Sequence, residues 1–293
     1  LKNFIIIEDA PELVDGAYYD LILVGKDRAG NPSNKAIAKN IKYDITPPVI
    51  SIAKPTPNIF ITSTQIEYDF SEDMERAFVK FEYSGGDYDL GSPHIYNIEG
   101  ADLKIGSHFI EPEFVPELME GTQYTLSING EDLAGNPAES AIVLGVVYDA
   151  YPPVLALNYP LPNSFINDSK ISYSINESLL EASIIWEAIG GADDPNSPHK
   201  IILNEDERKK GSYKDTVLTS QTSLQDSTIY NVSFLGKDPA GNESNLIIND
   251  NVHYDISSPI ITINEPGNNH FTPSTNINYS SSEDLLIAKI IYV

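Results

Sequence analysis

The sequence contains no cysteine. That removes disulfides, cysteine zinc sites and thiol nucleophiles together, and it suits a reducing or an oxidising compartment equally. Basic charge is scarce: 18 Lys and Arg stand against 43 Asp and Glu, a net charge of −25 at neutral pH. Such a field repels nucleic acid and anionic membrane surfaces and draws cations, so neither nucleic-acid binding nor membrane insertion is expected. No apolar run approaches the length that spans a bilayer, and the opening "LKNFIIIEDAPELVDG" turns acidic too soon for a signal peptide. The expectation is an internal piece of a longer chain. Helical periodicity is convincing nowhere. At 293 residues there is room for two or three domains, each with its own core.

What the chain has instead is repetition. "KDRAGN" at 26–31 returns as "EDLAGN" at 131–136 and "KDPAGN" at 237–242. In the same register "YDITPP" at 43–48 becomes "YDAYPP" at 148–153 and "YDISSP" at 254–259. "PNIFITSTQIEYDFSE" becomes "PNSFINDSKISYSINE" and then "NNHFTPSTNINYSSSE", while "GGDYDLGSPH" returns as "GGADDPNSPH". A repeat of this length signals an array of domains rather than a short-unit solenoid.

Inside each unit apolar and polar residues alternate, as in Ile66, Tyr68, Phe70 and Ile171, Tyr173, Ile175, the period of a half-buried strand. Short alternating runs punctuated by Gly, Pro, Asn and Asp predict an antiparallel sandwich of about seven strands per unit. Leu13, Leu118 and Leu224 each precede a tyrosine at the head of an alternating strand: Tyr19, Tyr124 and Tyr230. This looks like the tyrosine corner of immunoglobulin-like and fibronectin-type sandwiches, in which a buried ring bonds its hydroxyl back to the chain. Phe81, Trp186 and Tyr292 are equivalent and fall where such folds put a large core aromatic on the third strand. The expected fold class is all-β: tandem immunoglobulin-like, fibronectin-type-like β-sandwich domains in a linear array.

With these motifs the chain resembles, over nearly its whole length, the tandem bacterial immunoglobulin-like repeats of large cell-surface adhesins. The junction motif divides it into 1–46, the C-terminal part of one domain; 47–151 and 152–257, two complete domains; and 258–293, the N-terminal part of another. A half-sandwich exposes its core and unpaired edges, so adjacent domains of the same longer chain, or neighbouring fibre chains, are the expected completion.

The Asp of the recurring turn accepts bonds from following backbone amides, and the Gly permits a positive φ, so the motif closes a hairpin unaided. A second role follows from sandwich geometry. The turn between the last two strands lies at the end facing the preceding domain, with the loop after the second strand. Converging at the first junction are Asp44, Glu72, Asp73, Asp132 and Asn136; at the next Asp149, Glu177, Asp238 and Asn242; at a third Asp255, Glu283 and Asp284. Carboxylates gathered there repel one another unless a cation sits among them, and Ca2+ takes six to eight hard oxygen ligands of this kind. The resemblance supports it, since some adhesin repeats stiffen their joints with calcium. The chain carries no EF-hand loop and no cadherin linker pattern. The alternative to a metal site is a solvated acidic rim.

Other candidates are weaker. His94 and His199 recur in "SPH", but one histidine per domain with no second nitrogen ligand makes a poor transition-metal site, and a loop histidine bonded to backbone is expected. Gly85 with Gly86 and Gly190 with Gly191 predict a sharp bend or bulge. Asp193 and Asp194 near Glu187 imitate a glycosidase pair, yet Glu82, Asp87 and Asp89 of the equivalent stretch are arranged differently. No enzymatic activity is expected. The resemblance implies an extracellular, cell-surface stalk that carries a tip, outside this segment, towards a host-cell or surface ligand. The alternative is a module that binds glycan or protein through loops such as "GGADDPNSPH".

Overall fold

The structure, a computed structural model, describes residues 11–220, 222–291 and 293. The chain divides into two compact units, Leu1–Tyr151 and Pro152–Val293, and the division falls inside the junction motif "YDAYPP".

The first unit opens with an antiparallel ribbon, β1 (Tyr18–Leu23) and β2 (Ala36–Lys42). Eight strands follow: β3 (Ile50–Lys54), β4 (Phe60–Ile61), β5 (Ile66–Phe70), β6 (Met74–Gly86), β7 (His94–Ile98), β8 (Gly106–Ile110), β9 (Thr122–Asp132) and β10 (Ala141–Tyr148). They form two sheets, in the orders β3-β5-β8 and β4-β10-β9-β6-β7. All pairings are antiparallel except that of β4 with β10. The alternation read from sequence selects the buried face: Ile66, Tyr68 and Phe70 from one sheet meet Val79, Phe81, Tyr124, Leu126 and Ile128 from the other.

The second unit repeats this plan with β11 (Leu155–Tyr159), β12 (Phe165–Ile166), β13 (Ile171–Ile175), β14 (Glu181–Gly191), β15 (His199–Ile202), β16 (Gly211–Thr216), β17 (Thr228–Lys237) and β18 (Ile247–Tyr254). Its sheets run β11-β13-β16 and β12-β18-β17-β14-β15. A ribbon of β19 (Ile261–Glu265) and β20 (Asn278–Ser281) closes the unit. Each unit thus holds one immunoglobulin-like, fibronectin-type sandwich. Among the described residues the one helical element is a short 3-10 turn, Gly100–Leu103.

Phe81 and Trp186 are fully buried and pack edge-on against Tyr124 and Tyr230, at 5.8 and 5.9 Å between ring centroids. The indole N–H of Trp186 has no hydrogen-bond partner among the described residues, so packing holds the ring. Tyr292 lies outside the described residues. The tyrosine corner forms three times: Val14 N donates to Tyr19 Oη, Met119 N to Tyr124 Oη and Gln225 N to Tyr230 Oη, each at 2.8 Å. The glycine pairs sit at bulges of β6 and β14. At Gly86 φ is +73°, and a Cβ there would lie 2.4 Å from the carbonyl oxygen of Gly121.

Candidate metal centre

The site grows from the recurring turn. Asp132 ends β9, and its Oδ1 accepts the backbone N–H groups of Ala134 and Asn136, both at 2.8 Å, while Oδ2 accepts from the Asn136 side-chain amide at 2.8 Å. Asp27 and Asp238 make the matching bonds to Asn31 and Asn242. The turn role is therefore realised in every copy, and it leaves Asp132 as a buried, ionised anchor. Burial raises its pKa, but the Asn136 side chain and the turn amides outweigh that and hold it below the ordinary aspartate value.

Two other segments bring carboxylates to Asp132. Asp44 comes from the linker after β2, and Glu72 from the loop between β5 and β6. The three residues offer oxygens that all lie within 4.8 Å of one another, beside a hollow of about 530 Å3 bordered by Tyr18, Lys42, Ile105 and Leu133. Glu72 registers the crowding: burial first, then the charges of Asp44 and Asp132, raise its pKa, with Lys42 opposing them. The donors are all hard oxygens from three separate segments, a set that fits a divalent cation such as Ca2+ and offers nothing to a soft metal.

Not every predicted ligand joins. Asp73 borders the hollow, but its Oδ1 accepts the Ile105 N–H at 3.0 Å and its Oδ2 the Lys104 ammonium at 2.9 Å. Asn136 directs its amide N–H groups at Asp132 and at the Asp44 carbonyl, 3.2 Å away, so it clips linker to turn. Lys42 Nζ stands 2.6 Å from Asp44 Oδ2 and supplies a cation of its own. Its sequence equivalents, Val147 and His253, do not repeat the ammonium.

In the second unit Glu177 and Asp238 present carboxylate oxygens within 4.8 Å of each other. Asp149 is the third-last residue of the first unit, where its backbone N–H bonds the Ile61 carbonyl at 2.9 Å. At the far end of the second unit Glu283 has its pKa raised by burial and by Asp255, as Glu72 does beside Asp44.

Sequence reasoning missed a set of carboxylates that brace the linkers. Asp15 accepts Ile45 N at 2.9 Å and the Thr46 hydroxyl at 2.5 Å. Glu120 accepts Ala150 N at 3.1 Å and Tyr151 N at 3.4 Å. Asp226 accepts Ile256 N at 2.8 Å and the Ser257 hydroxyl at 2.7 Å. The available signal was an acidic residue two places after each corner leucine, in "LVDG", "LMEG" and "LQDS".

The histidines also differ from expectation. His94 and His199 are not loop residues bonded only to backbone: they begin β7 and β15, and their Nε2 atoms meet Asp89 Oδ2 at 2.5 Å and Asp194 Oδ2 at 2.6 Å. His94 Nδ1 donates to the Pro116 carbonyl at 3.0 Å, whereas His199 Nδ1 faces the Thr222 hydroxyl at 2.7 Å. Asp194 is thus tied into the fold by His199, Tyr230 and the Asn196 amide. In the neighbouring loop Tyr88 is 65% exposed and packs edge-on to Tyr83; the second unit has Asp193 and Ala188 at these positions, so this aromatic pair is not a shared feature of the repeats.

No protein-family model matches the chain, and no curated protein matches it. Among solved structures it is similar to the FN1-FN3 domains of chicken CNTN1, at 13% identity over 82% of this chain and 77% of that one, with a TM-score of 0.29. It is also similar to the fibronectin(III)-like modules of Clostridium thermocellum CbhA, at 12% identity over 71% of this chain and 93% of that one, with a TM-score of 0.30.

Proposed function

We propose that this chain is a spacer: part of the stalk of a long extracellular bacterial surface protein, an adhesin, in which tandem sandwiches hold a binding tip away from the cell. The role is mechanical rather than catalytic. The observation that carries this reading is the linker brace, repeated at residues 15, 120 and 226, which fastens each linker backbone to the domain it leaves. A chain whose domains needed only tethering would have no use for a restrained linker. The prolines that follow, Pro47 and Pro152, stiffen it further by fixing their own φ and extending the residue before.

Calcium completes the proposal. Asp44, Glu72 and Asp132 would hold it, with Asp149, Glu177 and Asp238 as their repeat equivalents and Asp255 and Glu283 as a third, partial set. The ion would neutralise carboxylates that otherwise repel and would crosslink linker, loop and turn. The decisive comparison is the melting temperature and small-angle scattering of the whole chain with calcium and with chelator. A higher melting temperature and a stiffer particle in calcium are expected; identical curves would remove calcium from the proposal. Antibody labelling of intact cells of the native source tests the location, and signal only after lysis would refute it.

A further inference from the structure

The two sandwiches share core, turns and corners, but one outer sheet face differs between them. In β14, Ala182, Ile184 and Trp186 are buried in the core, so Glu181, Ser183 and Ile185 point the other way. Ser183 lies between its cross-strand neighbours Ile202 of β15 and Leu235 of β17. In the first unit the same position is Phe78, between Asn97 and Asn129. A small residue thus replaces an aromatic one at the floor, and two aliphatic residues replace amides at the walls.

The result in the second unit is a groove of about 530 Å3. Ile202, Leu235 and Leu246 line it while remaining 66%, 38% and 55% exposed. Lys200, Arg208 and Lys237 stand around it, where the first unit has Ile95, Leu103 and Glu131. Three cations around one groove are conspicuous in a chain with 18 Lys and Arg against 43 acidic residues. They are only partly engaged. Arg208 donates to the Leu180 carbonyl, Lys237 Nζ sits 3.7 Å from Glu243 Oε1, and Lys200 has no ion pair among the described residues. Glu181 and Glu243 also border the groove, so the positive charge is directional rather than uniform. β15 is an edge strand, which leaves the groove open along one side.

We infer that this groove docks an extended acidic peptide, its carboxylates meeting Lys200, Arg208 and Lys237 while an aliphatic side chain fills the space over Ser183. The chemistry selects that occupant. A serine floor between aliphatic walls, without aromatic rings, gives a sugar no stacking surface, whereas alternating apolar and charged side chains match a groove with apolar walls and a cationic rim.

The test uses the whole 15N-labelled chain and a synthetic peptide of alternating Glu and Leu, with Lys-Leu and Glu-Ser peptides as controls. Resonance shifts confined to β14, β15 and β17 around Ser183 are expected for the Glu-Leu peptide, weakening as salt is added. Ser183→Phe and, separately, Lys237→Glu install residues with which the first sandwich already folds. Each should weaken binding roughly tenfold or more, about 1.4 kcal/mol, with the melting temperature unchanged. Should Ser183→Phe fail to fold, Lys237→Glu carries the test alone. Equal binding of either control, shifts elsewhere, or affinity indifferent to Lys237→Glu would overturn the inference. So would polygalacturonate shifting the same resonances where the peptide does not, or concentration-dependent shifts without peptide, which would put a second copy in the groove.

Discussion

Tyr124 donates its phenolic hydrogen to Asp89 Oδ2 at 2.6 Å while its own Oη accepts the Met119 N–H at 2.8 Å. Tyr230 and Asp194 reproduce the pair at 2.6 Å, with Gln225 as the donor at 2.8 Å. One hydroxyl thus joins the corner, the strand it heads and the loop carrying the "SPH" motif. Burial, followed by the bond to Asp194, pushes the Tyr230 pKa up to about 12, so its hydroxyl stays a donor throughout the physiological range.

Removing that hydroxyl leaves a buried carboxylate short of a donor and a backbone amide short of an acceptor. Tyr124→Phe is expected to destabilise the first sandwich by about 1–3 kcal/mol, and Tyr230→Phe the second by a similar amount. Urea denaturation of each variant, followed at Trp186 for the second unit and by circular dichroism for the first, measures it. A loss below the fitting error in both would mean that the corner contributes packing alone.

Acid should weaken both sandwiches through the same aspartates. Burial raises the pKa of Asp89 and Asp194, but the tyrosine and histidine bonds and a loop amide outweigh it, so both end below the ordinary value of 3.8. A depressed folded value means that the contribution is complete above the unfolded pKa and disappears as pH falls through the folded one. The melting temperature is therefore expected to drop below about pH 4, with a shallower drop in Asp89→Asn. Equal slopes in the variant and the parent would assign the acid sensitivity to other carboxylates.

Glu72 works with the opposite sign. Its raised pKa means that ionisation costs the folded state, so this contribution to stability falls as pH rises through the unfolded value. Glu72→Gln should raise the melting temperature in chelator and shrink the gain on adding calcium. Calorimetric titration of parent and variant with CaCl2 reads both effects; a variant that melts lower in chelator would show Glu72 to be a stabilising group rather than a repelled one.

Gly86→Ala tests the bulge of β6. The positive φ and the 2.4 Å approach to Gly121 O leave no room for a methyl group, and strain of about 1–3 kcal/mol is expected. The same change at Gly135, where a Cβ meets nothing within 4 Å, isolates the cost of the backbone angle. Equal losses at the two sites would mean that the close contact adds nothing.

The alternating pattern of Ile66, Tyr68 and Phe70 was enough to read the sandwich, because a period of two can bury only one face of a strand. The turn was legible for a similar reason, as Asp132 and Asn136 bond within a few residues of each other. What stayed hidden depends on contacts across the fold. Asp89 meets Tyr124 across 35 positions and Glu120 braces residues 30 positions away, and no local period records such pairs. Asp73 follows Glu72 directly, yet Lys104 and Ile105 take its carboxylate, a choice made by packing. The groove escaped because its origin is a difference between copies, Ser183 for Phe78, while repeats draw attention to what they share.

The parallel pairing of β4 with β10, and of β12 with β18, carries a consequence under force. Each first sandwich sheet-switching strand lies alongside the last strand of its domain and runs the same way, joined by Val147 N to Ile59 O and Asp149 N to Ile61 O, both at 2.9 Å, and by His253 N to Ser164 O and Asp255 N to Ile166 O at 2.8 and 2.9 Å. Tension applied through the chain on either side of a domain pulls such strands past each other lengthwise. Bonds lying across that direction share the load and must yield together, whereas an antiparallel hairpin pulled at its open end unzips one bond at a time.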